Sequence, residues 1–141
     1  MTYRKPDGRG PAVAADGTLY YVVALAGVNG FSDIEIHVAK PDNGPNKVLA
    51  RLAGSRLSSS LLMQPVLSPD GKFLVVLLID RLTTNMWTVA TDTGSLRPVT
   101  DFGHQATFIA RRVSWAPDGK SIYAAVGKGE ADIVLLTHLT P

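Results

Sequence analysis

Short apolar runs follow polar, turn-forming clusters at intervals along the chain. Three runs stand out: Thr18–Ala26 (TLYYVVALA), Lys72–Ile79 (KFLVVLLI) and Ser121–Val126 (SIYAAV). They are rich in Val, Ile, Leu, Phe and Tyr and are bounded by polar loops, which predicts β-strands. Most are apolar at consecutive rather than alternate positions. That is the pattern of a strand covered on both faces by neighbouring sheets. Helix signals are weak. The 13 glycines and 9 prolines interrupt almost every window, and only Leu57–Met63 has room for a helical turn.

A turn motif precedes each run: Ala14-Ala-Asp-Gly17, Ser68-Pro-Asp-Gly71 and Ala116-Pro-Asp-Gly119. Its glycines lie 54 and then 48 residues apart, within reach of blade-type repeats of about 40–50 residues once a loop insertion is allowed. In Ser-Pro-Asp-Gly the proline presets φ at the second turn position, and the aspartate tolerates the third. The glycine takes the left-handed conformation that reverses the chain. Later features keep the same order. Asp33-Ile34, Asn85-Met86 and Asp132-Ile133 each open a further strand, 16, 14 and 13 residues after the respective glycine. Two lanes continue to a second turn, at Gly44 and Gly94, and then to short strands at Lys47–Leu52 and Leu96–Thr100.

The string Gln64–Phe73 (QPVLSPDGKF), followed by Asn85–Val89 (NMWTV), Thr93-Gly94 and Val99–Phe102 (VTDF), resembles the PD-type, WD-repeat-like repeat of TolB-like β-propellers. Val113–Tyr123 (VSWAPDGKSIY) is a second good copy, whereas the first lane departs from it with Ala15 in place of proline. The resemblance covers nearly the whole chain. It implies an all-β fold of three antiparallel blades, each of four strands, with the first strand of each lining a central channel. The blades fall at about 11–52, 63–100 and 111–141, the last short of one strand.

Three blades alone leave apolar faces and a sheet edge open. The chain is therefore expected to be half of a six-bladed ring. Either it is the C-terminal half of a longer propeller, or two copies close the ring as a homodimer. In the dimer, residues 2–5 (Thr-Tyr-Arg-Lys) of one copy serve as the fourth strand of the partner's third blade. Such repeats occur in periplasmic translocation proteins, in prolyl-oligopeptidase-type serine peptidases beside the catalytic domain, and in bacterial regulatory proteins. The fold alone does not choose among these.

Composition narrows the functional classes. The chain is 45% hydrophobic and 18% charged, with 14 Lys and Arg interspersed among 12 Asp and Glu. No basic stripe forms, so nucleic acid is not an expected partner. There is no cysteine, hence no disulfide framework and no thiolate metal site. The opening residues lack a signal-peptide core, and the longest apolar run, Phe73–Ile79, is too short to span a bilayer. The chain is therefore expected to be soluble, cytoplasmic as written and periplasmic if a leader was removed, and no membrane partner is expected.

His37, His104 and His138 lack metal-type spacing, so no metal and no cofactor are expected. No G-x-S-x-G elbow or phosphate loop is present, and the chain reads as a non-enzyme. Trp87 and Trp115 sit at matching repeat positions and are expected in the core. Asp16, Gly17, Asp70, Gly71, Asp118 and Gly119 are assigned to structural turns.

The expected working surface is a protein- or peptide-binding face of long loops. It comprises the connections between blades (53–62 and 101–110) and those between second and third strands (27–32, 80–84 and 127–131). Its candidate residues are Arg56, Arg81, His104, Gln105 and Arg111, with Arg111-Arg112 placed just before the first strand of the third blade. The alternative to a free-standing binding module is a part of the accessory propeller of a larger peptidase-type or regulatory protein.

Overall fold

The computed structural model describes residues 8–25, 33–41, 44–52, 64–80, 83–128 and 131–136, with backbone only at 9, 80, 110–112 and 131–136. Arg56, Arg81, His138, the N-terminal residues 2–5 and Leu57–Met63 lie outside them. Among the described residues eleven strands form three antiparallel sheets, and there is no helix. The first sheet orders β1 (Gly8–Val13), β2 (Leu19–Ala24), β3 (Ile34–Ala39) and β4 (Asn46–Leu52). The second orders β5 (Val66–Leu67), β6 (Phe73–Asp80), β7 (Thr83–Ala90) and β8 (Leu96–Pro98). The third holds β9 (Phe108–Trp115), β10 (Ile122–Gly127) and β11 (Ala131–Leu136). Each strand pairs with its neighbour in sequence, so every sheet is a meander.

The Asp-Gly turns join the first two strands of each sheet. Gly17, Gly71 and Gly119 have φ of 79°, 73° and 70°, a region open to glycine and costly for other residues. The aspartates cap the turns from within: Asp16, Asp70 and Asp118 accept the backbone N–H two residues on, at 2.8, 3.1 and 2.9 Å. Asp70 also accepts the Ser68 hydroxyl at 2.7 Å, and these bonds hold its carboxyl below the usual carboxylate range. Asp16 is lowered likewise, chiefly by the Thr18 N–H and hydroxyl.

The first turn is one residue shorter than the other two. Ala14 donates to the Thr18 carbonyl, four positions on, whereas Ser68 reaches Phe73 and Ala116 reaches Ser121, five positions on.

Stacking the sheets makes the core. Tyr20, Val22, Ile34, Ile36, Ala50 and Leu52 of the first sheet meet Leu74, Val76, Leu78 and Val89 of the second. The other face of the second sheet offers Val75, Leu77 and Met86 to Ile109, Val113, Ile122, Ala124 and Val126 of the third. A small third cluster, Leu19, Tyr21 and Ala39 with Val23 beside it, lies on the outward face of the first sheet. His37 is on that face too. Its ring lies 5.3 Å from that of Tyr21, and its Nε2 is 2.9 Å from the Glu35 carboxylate.

Three expectations change. Arg111-Arg112 does not precede the first strand but lies inside β9, where Ala124 pairs with Val113 and Val126 with Ile109. The bulge between those pairs absorbs the two arginines, because a bulged strand tolerates residues that face no partner. Trp87 and Trp115 are not at matching positions: one is on β7, the other ends β9. Both are half-buried against the core, and the Trp115 indole N–H donates to the Val66 carbonyl at 3.1 Å. Finally, β10 is not buried on both faces. It alternates, with Ile122, Ala124 and Val126 buried and Tyr123 and Ala125 exposed.

Candidate functional site

The meander order sends the Asp-Gly turns to one end of the blades and the connections between blades to the other. At that second end, the segment from Asp101 to Thr107 joins β8 to β9 and is the one connection between sheets described throughout. Polar side chains brought up from β7 hold it in place. Asn85 Oδ1 accepts the Phe102 N–H at 3.1 Å and the Thr100 hydroxyl at 3.0 Å. Thr100 Oγ1 in turn accepts the Met86 N–H at 2.9 Å. The Gln105 carbonyl accepts the hydroxyls of Thr83 (2.6 Å) and Thr107 (3.2 Å), and the Thr84 N–H donates to the Thr107 carbonyl at 2.8 Å. Thr83, Thr84, Thr100 and Thr107 are all buried. Each bond satisfies a group whose burial would otherwise cost free energy, so the segment has little freedom to move.

Within the segment, Asp101 Oδ1 accepts the Gly103 N–H at 2.9 Å and the Phe102 carbonyl accepts the Gln105 N–H at 3.2 Å. These two short-range bonds lift His104 and Gln105 into solvent on a fixed turn. The segment crosses the top of the second sheet. On the side of the first sheet it roofs a cavity of about 290 Å³ whose walls include Leu78, Trp87, Pro98 and Asp101. On the other side Phe102 packs against the core shared with the third sheet, and Lys128 places its Nζ 5.7 Å from the ring centroid. The arrangement can accept an apolar or aromatic side chain against Trp87 and Pro98, with hydrogen-bonding groups at the rim.

Of the residues singled out from sequence, the structure brings His104 and Gln105 together on this turn. Arg111 is on the β9 bulge, and Arg56 and Arg81 lie outside the described residues. Asp16, Gly17, Asp70, Gly71, Asp118 and Gly119 occupy the Asp-Gly turns at the opposite end. Sequence reasoning missed Phe102, Lys128 and the cavity wall at Trp87. The only signal was their place on or beside long loops. Among the described residues, no three His, Asp or Glu side chains form a metal-binding group, and no helix is long and apolar enough to cross a membrane.

No protein-family model matches the sequence, and neither does any curated protein. Solved structures match in fold. The β-propeller domain of the Trilobed protease from Pyrococcus furiosus superposes with a TM-score of 0.62 at 15% identity, over 94% of this chain and 39% of that one. TolB from Acinetobacter baumannii gives 0.55 at 20% identity, over 94% and 33%. AtxE2 isopeptidase gives 0.62 at 19% identity, over 82% and 20%. The chain thus spans a fifth to two fifths of the length of these proteins. At such identities the likeness is one of fold. Three antiparallel meanders stacked face to face, superposing on these proteins over most of this chain's own length, have the fold of β-propeller blades such as those of TolB.

Proposed function

We propose that the chain is a non-catalytic β-propeller module for binding protein or peptide, and that a second copy covers its open third sheet and closes a six-bladed ring. The observation that carries this reading is the outward face of β10. Tyr123 is 47% exposed and Ala125 is exposed beside it, although the strand is apolar at both sets of positions. Apolar side chains exposed on a sheet face favour association. In a closed ring this face meets the outward face of the partner's first sheet, which carries the cluster of Leu19, Tyr21, Val23 and Ala39. Leu19, Tyr21 and Ala39 are buried in the single chain and Val23 partly so. A two-fold dimer repeats the junction twice and leaves no end blade.

Sedimentation velocity over a range of concentrations tests the proposal. The wild-type chain is expected at twice the monomer mass with a melting temperature that rises with concentration, and Tyr123→Glu at the monomer mass, folded, with a melting temperature that does not. A monomer at every concentration rejects ring closure by a second copy. The turn at His104 and Gln105, with the Trp87–Pro98 cavity beneath it, is the surface on which such a module would hold a peptide segment.

One observation favours a second reading. The solved structures that match include peptidases far longer than this chain. In that reading the sheets are part of the accessory propeller of a larger protein, and the next blade of the same polypeptide covers β10. A reading frame that continues past Pro141 into further blades and a hydrolase domain selects it.

A further inference from the structure

The second sheet is one strand wider than the described third sheet. Its outer strand β8 pairs with β7 through Thr88 and Arg97, whereas β11 is the outermost described strand of the third. Register places Thr88 opposite Val75 and Ala90 opposite Phe73. Phe73, Thr88, Ala90 and Arg97 therefore share the face that Val75 turns towards the third sheet. Beyond β11 this face has no described strand across from it. A cavity of about 510 Å³ opens on this face of the second sheet, lined by Lys72, Phe73, Thr88, Thr91, Asp92 and Arg97 among others.

The charges in the cavity are unevenly engaged. Arg97 is exposed, and among the described residues its side chain makes no ion pair; its backbone pairs with Thr88, whose hydroxyl lies 3.5 Å from the Arg97 carbonyl. Lys72 Nζ lies 3.8 Å from Asp70 at the rim. The Asp92 carboxylate is turned to its own loop, where it accepts the Thr93 N–H at 2.7 Å. The Thr91 hydroxyl donates to the Gly71 carbonyl at 2.8 Å. Arg97 is thus the group left to meet whatever lies along β11. Among the described residues β11 pairs with β10 alone, and its other edge is a template for one more strand.

We infer that the open edge of the third sheet takes an extended acidic segment as its fourth strand. Main-chain hydrogen bonds to β11 hold the segment, and a carboxylate on the side facing the second sheet pairs with Arg97. Alternate residues of a strand face opposite ways, so an acid at every second position suffices. The same geometry disfavours residues 2–5, Thr-Tyr-Arg-Lys. Whichever face that segment presents, Arg4 or Lys5 turns towards Arg97, and like charges so placed repel. The inference concerns an edge and not a sheet face, so it goes beyond ring closure and does not depend on it.

Three labelled peptides alternating valine with glutamate, serine or lysine test it, with binding to the full chain read by fluorescence anisotropy at low salt. The glutamate peptide is expected to bind roughly threefold to tenfold more tightly than the serine peptide, and the lysine peptide more weakly than either. Arg97→Glu should invert that order, and the glutamate peptide should slow amide exchange along β11. Lys72→Glu supplies the same reversal at the rim should Arg97→Glu fail to fold. Equal binding of the three peptides, no binding, an order unchanged in the variants, or no protection of β11 overturns the inference. Sedimentation of the same samples separates it from the ring: a monomer that still ranks the peptides by charge rejects the ring and keeps the acidic strand.

Discussion

The middle strands β6 and β10 have the same kind of sequence and different surroundings. In β6, Leu74, Val76 and Leu78 face the first sheet while Val75 and Leu77 face the third, and all five are buried. In β10, Ile122, Ala124 and Val126 are buried against the second sheet, and Tyr123 and Ala125 face outward. Both strands are apolar at every one of these positions. A strand's composition therefore reflects the environment in which its sheet works, and β10 carries the composition of a strand with a sheet on either side. The difference between the strands lies in their neighbours and not in their residues.

Substitutions can break or sharpen that comparison. Leu74→Ala is expected to cost about 2–5 kcal/mol, because the buried side chain leaves a cavity between two packed sheets. Tyr123→Ala in dilute protein should change stability by less than about 0.5 kcal/mol. Urea denaturation of the pair reads both, and an equal loss would mean that the third sheet is covered on both faces even in dilute protein.

A smaller effect contrasts two glycines of the second sheet. Leu49 is the bulged residue of β4, and its carbonyl lies where a side chain on Gly94 would begin. Gly94→Ala therefore combines collision with a φ of 73° and should cost roughly 3 kcal/mol. Gly71→Ala, at the same φ but with open space around it, should cost only about 1 kcal/mol. Comparable thermal shifts for the two would show that the first and second sheets do not approach as closely as the Leu49–Gly94 contact requires.

Asn85→Ala leaves the Phe102 N–H without its acceptor and should cost about 1–3 kcal/mol. Amide exchange should then quicken from Asp101 to Thr107 but not along β6.

The smallest effect is acid titration. Asp70 has its carboxyl lowered in the folded chain by the Ser68 hydroxyl and the Lys72 N–H. Its stabilisation is complete above the unfolded carboxylate pKa of about 4 and is lost as pH falls through the lower folded value. Asp70→Asn should flatten the stability profile below about pH 4 and leave it unchanged near neutrality. A profile of unchanged slope would mean that the turn does not depend on the charged form.

The repeat was legible because its punctuation is local. A proline, an aspartate and a glycine define a turn with little help from the rest of the chain, and the apolar runs after them are strands. What depends on the number of residues in a turn was less legible. With the lanes aligned on their glycines, Tyr20 takes the place of Leu74, yet Leu74 faces the preceding sheet and Tyr20 the following one. The shorter first turn sets the two strands one residue apart. The charged pair Arg111-Arg112 reads as loop by chemistry and sits in a strand because a bulge takes it up.

At the end that carries the connections between blades, His104 and Gln105 were legible as a polar loop between repeats. The network beneath them was not, because Asn85, Thr100 and Thr107 meet only after β7 and the connection have folded over each other.

That single missing residue also bears on how such an array can grow. Copying the Pro-Asp-Gly-Lys turn into the first blade would insert one residue, and the longer turn would take it up: Val13 would still pair with Leu19, as Leu67 pairs with Leu74 and Trp115 with Ile122. Tyr20 and Val22 would stay in the core and Leu19 and Tyr21 outside it, since pairing with β1 and not distance from the glycine sets the faces of β2. The pairs that flank the turn are thus equivalent in all three blades, and a turn exchanged whole between any two of them would keep the register of the strands it joins.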